Sequence, residues 1–358
     1  MKLVILAGGS GTRLWPVSRK NTPKQTKPII ADKTLLVSTY DRLISGFRKS
    51  DIYIATNRSQ IDIISKQLPR FLSKNYIIEP DKKDTAAAIG FAAATLHKKN
   101  SKEIMISINS DHYIKNEKDY IRTIKLVEKA INKKPTMGVL IGINPTYPET
   151  GYGYIKMGEQ KDEIGKFKVF EVDCFKEKPS LKIAQEYLQK WEYLWNIGCF
   201  AWRVDTLLDL YKKYLPKMYK ILKNIEKNIE KEGGEKNIAK EFKKIEPISM
   251  DYGIIEKTKD LLVIPADFGW ADVGNWRTVK DILSKSKRGS ITKGMVLNIE
   301  GSDNLVYNYS DKLITMVGVR GMVVIETEDS LLLCPKEKAQ DVKKIVDKLK
   351  IKKLDKYL

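Results

Sequence analysis

Residues 3–28, LVILAGGSGTRLWPVSRKNTPKQTKP, set the tightest limit on what this chain can fold into. Leu3 to Ala7 is an apolar run of the length of a buried strand, and it breaks directly into Gly8, Gly9 and Gly11. The loop that follows carries Thr12, Arg13, Arg19, Lys24 and Lys27 without an intervening acid, so backbone N–H groups and at least two cations converge where a polyphosphate can lie. Glycine is needed there because a side chain would hold the backbone off the phosphates or forbid positive φ. The spacing matches neither common fingerprint: GGSGTR lacks the Gly-Lys-Ser/Thr ending of a P-loop, and no third glycine completes GxGxxG. On the residues alone, two readings stand: a nucleoside-triphosphate cradle, or a glycine turn beside a solvated basic face.

From residue 34 strand and helix patterns alternate, the sequence form of an α/β fold whose parallel sheet is covered on both faces. Residues 35–46, 59–71 and 117–132 read as helices, as does an alanine-rich stretch from Thr85. Ile52 to Thr56, Tyr76 to Glu79, Ile104 to Ile108 and Met137 to Ile143 read as strands. In such sheets ligands bind at the carboxyl ends of strands, which is where GGSGTR and the NSDH of residues 109–112 belong. TGYGYIKMG and GKFKVFEVDCFKEKP read as antiparallel extensions, and 205–245 as lysine-rich helix broken at Gly233-Gly234 with a solvated charged face. Composition shifts near residues 285–290. Beyond it, short β-type runs at Asn304 to Tyr309, Leu313 to Val317, Met322 to Thr327 and Leu331 to Cys334 precede an amphipathic helix over about 336–350, which suggests a small β-domain.

The 358 residues suffice for one large core and a smaller unit. No apolar stretch reaches membrane-span length, and Met1 leads straight into the first strand without room for a signal peptide, so a cytoplasmic location and no membrane partner are expected. Cys174, Cys199 and Cys334 stand singly in apolar surroundings and are expected to be buried free thiols. The net charge of +20 first suggests a nucleic-acid partner. The lysines, however, are scattered among Glu and Ile in helical stretches, so no nucleic-acid partner is expected and the basic surface serves to attract anionic substrates.

The segment GGSGTRLWPVSRKNTPKQTKP resembles the signature of sugar-1-phosphate nucleotidylyltransferases, and its Leu-Trp-Pro and Pro-Lys-Gln steps look like the mannose-1-phosphate guanylyltransferase branch. EPDKKDTAAAI (79–89), SINSDH (107–112), TGYGYI (150–155), FKEKP (175–179) and LWNIGCFAW (194–202) extend the likeness over nearly the whole chain, as do DFGWADVGNW (267–276) and ISMDYGIIEKT (248–258). The resemblance implies a doubly wound, mostly parallel Rossmann-like sheet over residues 1–285 and a truncated left-handed β-helix over 286–358; from the length of the chain, no isomerase-type domain is expected after it. It implies nucleotide contacts at Leu6, Ala7, Gly8, Gly9, Gly11, Thr12, Glu79, Lys83, Asp84, Thr85 and Ser110. The base-reading segment departs from the family, which usually has Arg and Asn where this chain has Lys83 and Asp84, and Pro in place of Ala87.

The resemblance further implies catalytic cations at Arg13, Lys24 and Lys178, and sugar contacts at Gly151, Glu177, Asn196 and Asp251, with Trp195 lining the sugar and Trp202 left in the core. Asp111 and Asp272 would hold Mg2+. Read without the resemblance, Asp111 is a turn or cap residue, Asp84 a helix cap and Glu177-Lys178 a surface pair. The implied reaction is GTP plus α-D-mannose 1-phosphate giving GDP-mannose and pyrophosphate, and a homodimer is the family-level expectation. Two rival readings are a nucleotidylyltransferase for another sugar 1-phosphate, of heptose or glucose type, and a non-catalytic sugar-nucleotide sensor.

Overall fold

The computed structural model describes residues 1–358 except Ser10, Asn21, Lys166, Lys285 and Lys287. Lys285, where the sequence reading ends the first domain, thus lies outside the described residues. Two compact units are present. Unit 1 comprises Met1–Gly8, Arg42–Asn109 and Ile114–Trp270, and unit 2 comprises Gly9–Asp41, Ser110–Tyr113 and Ala271–Leu358.

The strands in chain order are β1 (Lys2–Leu6), β2 (Ile52–Asn57), β3 (Tyr76–Glu79), β4 (Ile104–Asn109), β5 (His112–Ile114), β6 (Gly138–Ile143), β7 (Gly153–Ile164), β8 (Phe167–Glu177), β9 (Tyr193–Arg203), β10 (Leu261–Ala266) and β11 (Trp270–Asp272). In unit 1 nine of them form one sheet in the order β3-β2-β1-β4-β9-β6-β10-β8-β7. The pairs β1–β2, β1–β4, β2–β3 and β6–β10 are parallel, and every residue of β2 and β6 is buried, as strands covered on both faces require. The chain winds outward through β2 and β3 and then returns to β4 on the other side of β1. That makes β1/β4 the switch point, and Leu6 pairs with Asn109 at its carboxyl edge.

One departure from the parallel pattern is β9, which runs antiparallel between β4 and β6. Its Trp202 is fully buried, as expected, and lies over Gly138, where a Cβ would come within 2.1 Å of the indole Nε1. The alanine-rich helix Asp84–Lys99 packs close to the helices Val204–Tyr214 and Pro216–Asn228, and Tyr211 Oη donates to the carbonyl of Ala86 at 2.6 Å. The stretch 205–245 is three helices, because Pro216 opens a second and Gly233, at φ 69°, leads into a third. Cys199 and Cys334 are buried, but Cys174 is exposed, contrary to expectation, because it lies in β8 among alternately exposed residues. Among the described residues no helix is long and apolar enough to cross a membrane.

Unit 2 joins the glycine-loop segment to the C-terminal strands β12 (Ile291–Lys293), β13 (Val296–Ile299), β14 (Leu305–Asn308), β15 (Ile314–Val317), β16 (Met322–Glu326) and β17 (Leu331–Pro335). β12, β14 and β16 stack in parallel, β13 stacks on β15, and β17 closes the larger sheet antiparallel: successive coils of a β-helix-like domain. The fully buried Asn304 accepts from the N–H of Met322 and donates to the carbonyl of Val319, pairing backbone groups that the turns leave over. The core of this unit brings Leu14, Trp15, Val17 and Ile29 against Trp276, Leu305, Tyr307 and Val323. Trp276 Nε1 donates to the Trp15 carbonyl, Trp15 Nε1 to that of Tyr357, and Tyr307 Oη to that of Ile29.

The contact between Gly138 and Trp202 gives a stability test. Gly138→Ala forces a methyl group onto a large buried ring and should cost about 1–3 kcal/mol in chemical denaturation. A loss below about 0.5 kcal/mol, the range of ordinary surface substitutions, would contradict this packing.

Candidate active site

In unit 2 the glycine loop delivers a lysine to two carboxylates. Gly11 sits at φ 59°, in the left-handed region, and a Cβ there would come within 2.5 Å of the Lys24 side chain. Lys24 is therefore free to pass beneath the loop. Its Nζ reaches Asp111 Oδ2 at 3.0 Å, Asp272 Oδ1 at 3.3 Å and the Val273 carbonyl at 3.0 Å. Burial pulls the Lys24 ammonium down, but Asp111 and Asp272 more than offset this and its pKa ends above the usual lysine value. Burial likewise pushes the Asp111 carboxyl up, and Lys24 and His112 bring it back below the usual carboxylate range. Both groups stay charged at neutral pH.

Arg13 belongs to the same cluster. Its charge acts on Lys24, its Nη2 lies 3.6 Å from where a Cβ of Gly274 would be, beside Asp272, and its Nη1 donates to Gln340 Oε1. The side chains of Asp111, His112 and Asp272 each offer one ligand atom, all within 4.8 Å of one another. Sequence reasoning paired the two aspartates and left out His112, although the Asp-His step was in view. Two carboxylates that already hold an ammonium between them are a donor set suited to a hard cation, which favours oxygen ligands.

Not every loop cation joins this cluster. Arg19 is committed to Asp329 in a two-pronged ion pair, and Lys27 lines a separate cleft with Arg19. Gly9 accepts from Gln25 Nε2, and Ser110 is buried next to Asp111. Thr12 begins the short 3-10 turn that presents Arg13.

In unit 1 a second cluster forms where β8 ends and β9 begins, near the helix Met250–Gly253. Glu177 Oε1 accepts from Lys178 Nζ at 2.6 Å, while its Oε2 is buried with no donor in reach. Gly153 makes room for that oxygen, since a Cβ there would lie 2.5 Å from it. A buried carboxylate oxygen without a donor is costly and suits a ligand hydroxyl. Asn196 Nδ2 donates to Asp251 Oδ1 at 3.0 Å, and its Oδ1 accepts from the N–H of Gly198. Burial, assisted by the Glu177 charge, pushes the Asp251 carboxyl up to about 7. Glu256 accepts from the Glu177 N–H and orients it, a role that the sequence did not signal. Lys178 holds φ 47°, a left-handed backbone costing on the order of 1 kcal/mol, and such strain gathers at functional sites. Trp195 is buried against Tyr147 and Tyr152, and Gly151 sits in an exposed turn with its N–H on Glu149.

The remaining candidates of unit 1 lie at the ends of β1 and β3. Leu6 closes β1, the Ala7 carbonyl accepts from Thr56 Oγ1, and that of Gly8 accepts from Asn57 and Gln60. Glu79 is buried beside Gly8, and burial, opposed by Lys82, drives its carboxyl up to about 7. Lys83 turns its ammonium to the Lys243 carbonyl, and Thr85 Oγ1 accepts from the Met250 N–H, so both are engaged in holding the fold. Asp84, at φ 66°, caps the Thr85 N–H with its own carboxylate.

The family model described as "Nucleotidyl transferase" matches residues 2–288, and that described as "MannoseP isomerase/GMP-like beta-helix domain" matches 294–349. The chain is 36% identical over 352 residues to the mannose-1-phosphate guanylyltransferase of Escherichia coli, covering 97% of this chain and 75% of that one. It is also 36% identical over 354 residues to the mannose-1-phosphate guanylyltransferase of Salmonella montevideo, covering 97% and 74%. A solved structure from Thermus thermophilus, described as a mannose-1-phosphate geranyltransferase, superposes with a TM-score of 0.86 at 29% identity over 98% of this chain and 99% of that one.

Glu79 makes stability depend on pH. Its folded pKa of about 7 lies above the ordinary value of 4.5, so the folded state holds a proton that the unfolded chain releases. This contribution is full below about 4.5 and is lost as pH rises through about 7. Glu79→Gln abolishes the loss, so the stability of the variant relative to the parent should rise by about 2 kcal/mol between pH 5 and 8 in urea titrations. A pH-independent difference would show that Glu79 ionises normally.

Proposed function

Because the chain belongs to the nucleotidyl transferase family, we propose that it transfers GMP from GTP to α-D-mannose 1-phosphate, giving GDP-mannose and pyrophosphate. The observation that carries this reading is the cluster of Lys24, Arg13, Asp111 and Asp272, where two cations for phosphate oxygens meet two carboxylates for a divalent ion.

An oxygen of the sugar phosphate attacks the α-phosphorus of the nucleotide in line, the bond to the β-phosphate oxygen breaks, and pyrophosphate departs. A phosphate monoester with a second pKa near 6 is largely dianionic at neutral pH, so the attacking oxygen requires no general base. What the protein supplies is alignment and neutralisation of two anions that repel one another. Arg13 and Lys24 take triphosphate oxygens, and Lys178 takes the phosphate of the sugar. Glu177 accepts from sugar hydroxyls through its undonated Oε2, with Asn196 and Asp251 beside it. Glu79 is the acceptor suited to the N1–H and 2-amino group of guanine, and the end of β1 with Gly8, Gly9, Gly11 and Thr12 forms the bed for the phosphates. Asp111 and Asp272, with His112 adjacent, would hold Mg2+, which when bound would supply positive charge to offset that of the phosphates. The catalytic domain is assigned to residues 1–285 and the β-helix domain to 286–358.

The test is pyrophosphate release measured across the four nucleoside triphosphates with mannose, glucose and heptose 1-phosphates. GTP with mannose 1-phosphate should give the highest kcat/KM. ATP should be poorer by about 10^4-fold, because adenine leaves buried acceptors unpaired. Equal use of ATP and GTP would contradict the guanine assignment, a higher rate with another sugar would contradict mannose, and no release with any pair would contradict the enzyme.

A further inference from the structure

Lys27 stands out in the sequence as a loop cation, yet it takes no part in the Lys24 cluster. It lines a cleft of about 530 Å3 in unit 2 together with Arg19, Pro16, Pro28, Tyr309 and Glu328. The cleft is of small-molecule size. Arg19 is not available to a ligand there: its guanidinium donates to both Asp329 oxygens, to the Pro16 and Lys356 carbonyls and to Ser330. Asp329, which also lines the cleft, is neutralised by the same pairing. Lys27 has no such partner, since among the described residues no carboxylate lies within ion-pair distance of it. Burial, with the Arg19 charge added, pulls the Lys27 ammonium below the usual lysine value. A half-buried cation in a cleft with no counter-charge of its own is stabilised by an anion that enters.

The rest of the wall defines the chemistry of that anion. Pro16, Val17 and Pro28 are apolar and give a surface for a carbon skeleton, beside the mostly buried Tyr309, whose ring carries the Lys293 ammonium 5.4 Å from its centroid. Glu328 is exposed and offers carboxylate oxygens to hydroxyl donors, while repelling an anion placed against it. The two charges therefore orient a ligand, with phosphate toward Lys27 and hydroxyls toward Glu328. We propose that this cleft is a second anion site, which takes a small hydroxylated phosphate ester through Lys27.

The experiment is competitive acetylation of the full chain with acetic anhydride, read lysine by lysine by mass spectrometry, with glycerol 3-phosphate titrated at constant ionic strength. A site with Kd of about 1 mM is roughly nine-tenths filled at about 10 mM ligand, so labelling of Lys27 should fall about tenfold. Labelling of Lys217, whose side chain is 89% exposed, should not change. In a parallel arm with inorganic phosphate, equal protection shows that the phosphate group suffices, and protection by the ester alone shows that the hydroxylated body is needed. Either outcome supports the site. Both arms are repeated in Arg13→Ala, which weakens the triphosphate bed: protection of Lys27 should persist, and its loss would mean that the anion sits with Arg13 and would overturn the proposal. Unchanged Lys27 labelling with both compounds would overturn it as well.

Discussion

The Lys24 ammonium, buried between Asp111, Asp272 and the Val273 carbonyl, is the constraint on which the candidate site of unit 2 depends. Three segments far apart in sequence meet there, and the lysine could not be buried in charged form without the carboxylates. Each carboxylate offsets the desolvation of the lysine, and the lysine keeps two like charges from repelling one another. Under the proposed function, the same arrangement prepares the site for substrates. A pair of acids held close by a monovalent cation is preorganised for a divalent one, and a lysine held at that point is placed among the charges that phosphates seek.

That cluster is only as firm as its support. Trp276 and Tyr307 from the C-terminal part of the chain bond the carbonyls of Trp15 and Ile29, so the glycine loop is fixed from both sides of Lys24 by residues more than 250 positions away. The β-coils therefore contribute more than a tail. Their parallel stacking builds a core into which Leu14, Trp15 and Val17 fit, and the loop needs that core because its own sequence, rich in Gly, Pro and Lys, cannot bury itself.

Much of this was legible in the sequence, for identifiable physical reasons. Buried parallel strands such as Ile52–Asn57 and Gly138–Ile143 announce themselves as continuous apolar runs, and Gly11 could be read as a position that excludes a side chain. The antiparallel place of β9 could not be read, because an apolar strand carries no mark of its direction. The strands Ile291–Lys293 and Val296–Ile299 escaped because Thr292, Lys293 and Asn298 interrupt their apolar residues and leave no continuous run. The exposed Cys174 was misjudged because its apolar neighbours in β8 alternate between faces. In the candidate site, the cations were visible but their sorting was not: whether Arg19 or Lys24 meets the carboxylates depends on Asp329, 310 residues from Arg19. Glu256 was hidden for the same reason, since its bond to the Glu177 backbone exists only in three dimensions.

The central claim is that the carboxylates around Lys24 form the seat of a divalent ion that holds nucleotide phosphates. Its most direct test is electron paramagnetic resonance of Mn2+ titrated into the protein with GTP, for the parent chain and for Asp272→Asn. In the variant Lys24 keeps Asp111 and the Val273 carbonyl, and circular dichroism should confirm an intact fold. The account predicts one nucleotide-dependent Mn2+ per chain in the parent, and a loss of affinity of about tenfold or more in the variant, since even removing a hydrogen-bond partner of a metal ligand costs that much. Equal Mn2+ binding by the two folded proteins would place the ion elsewhere and contradict the account.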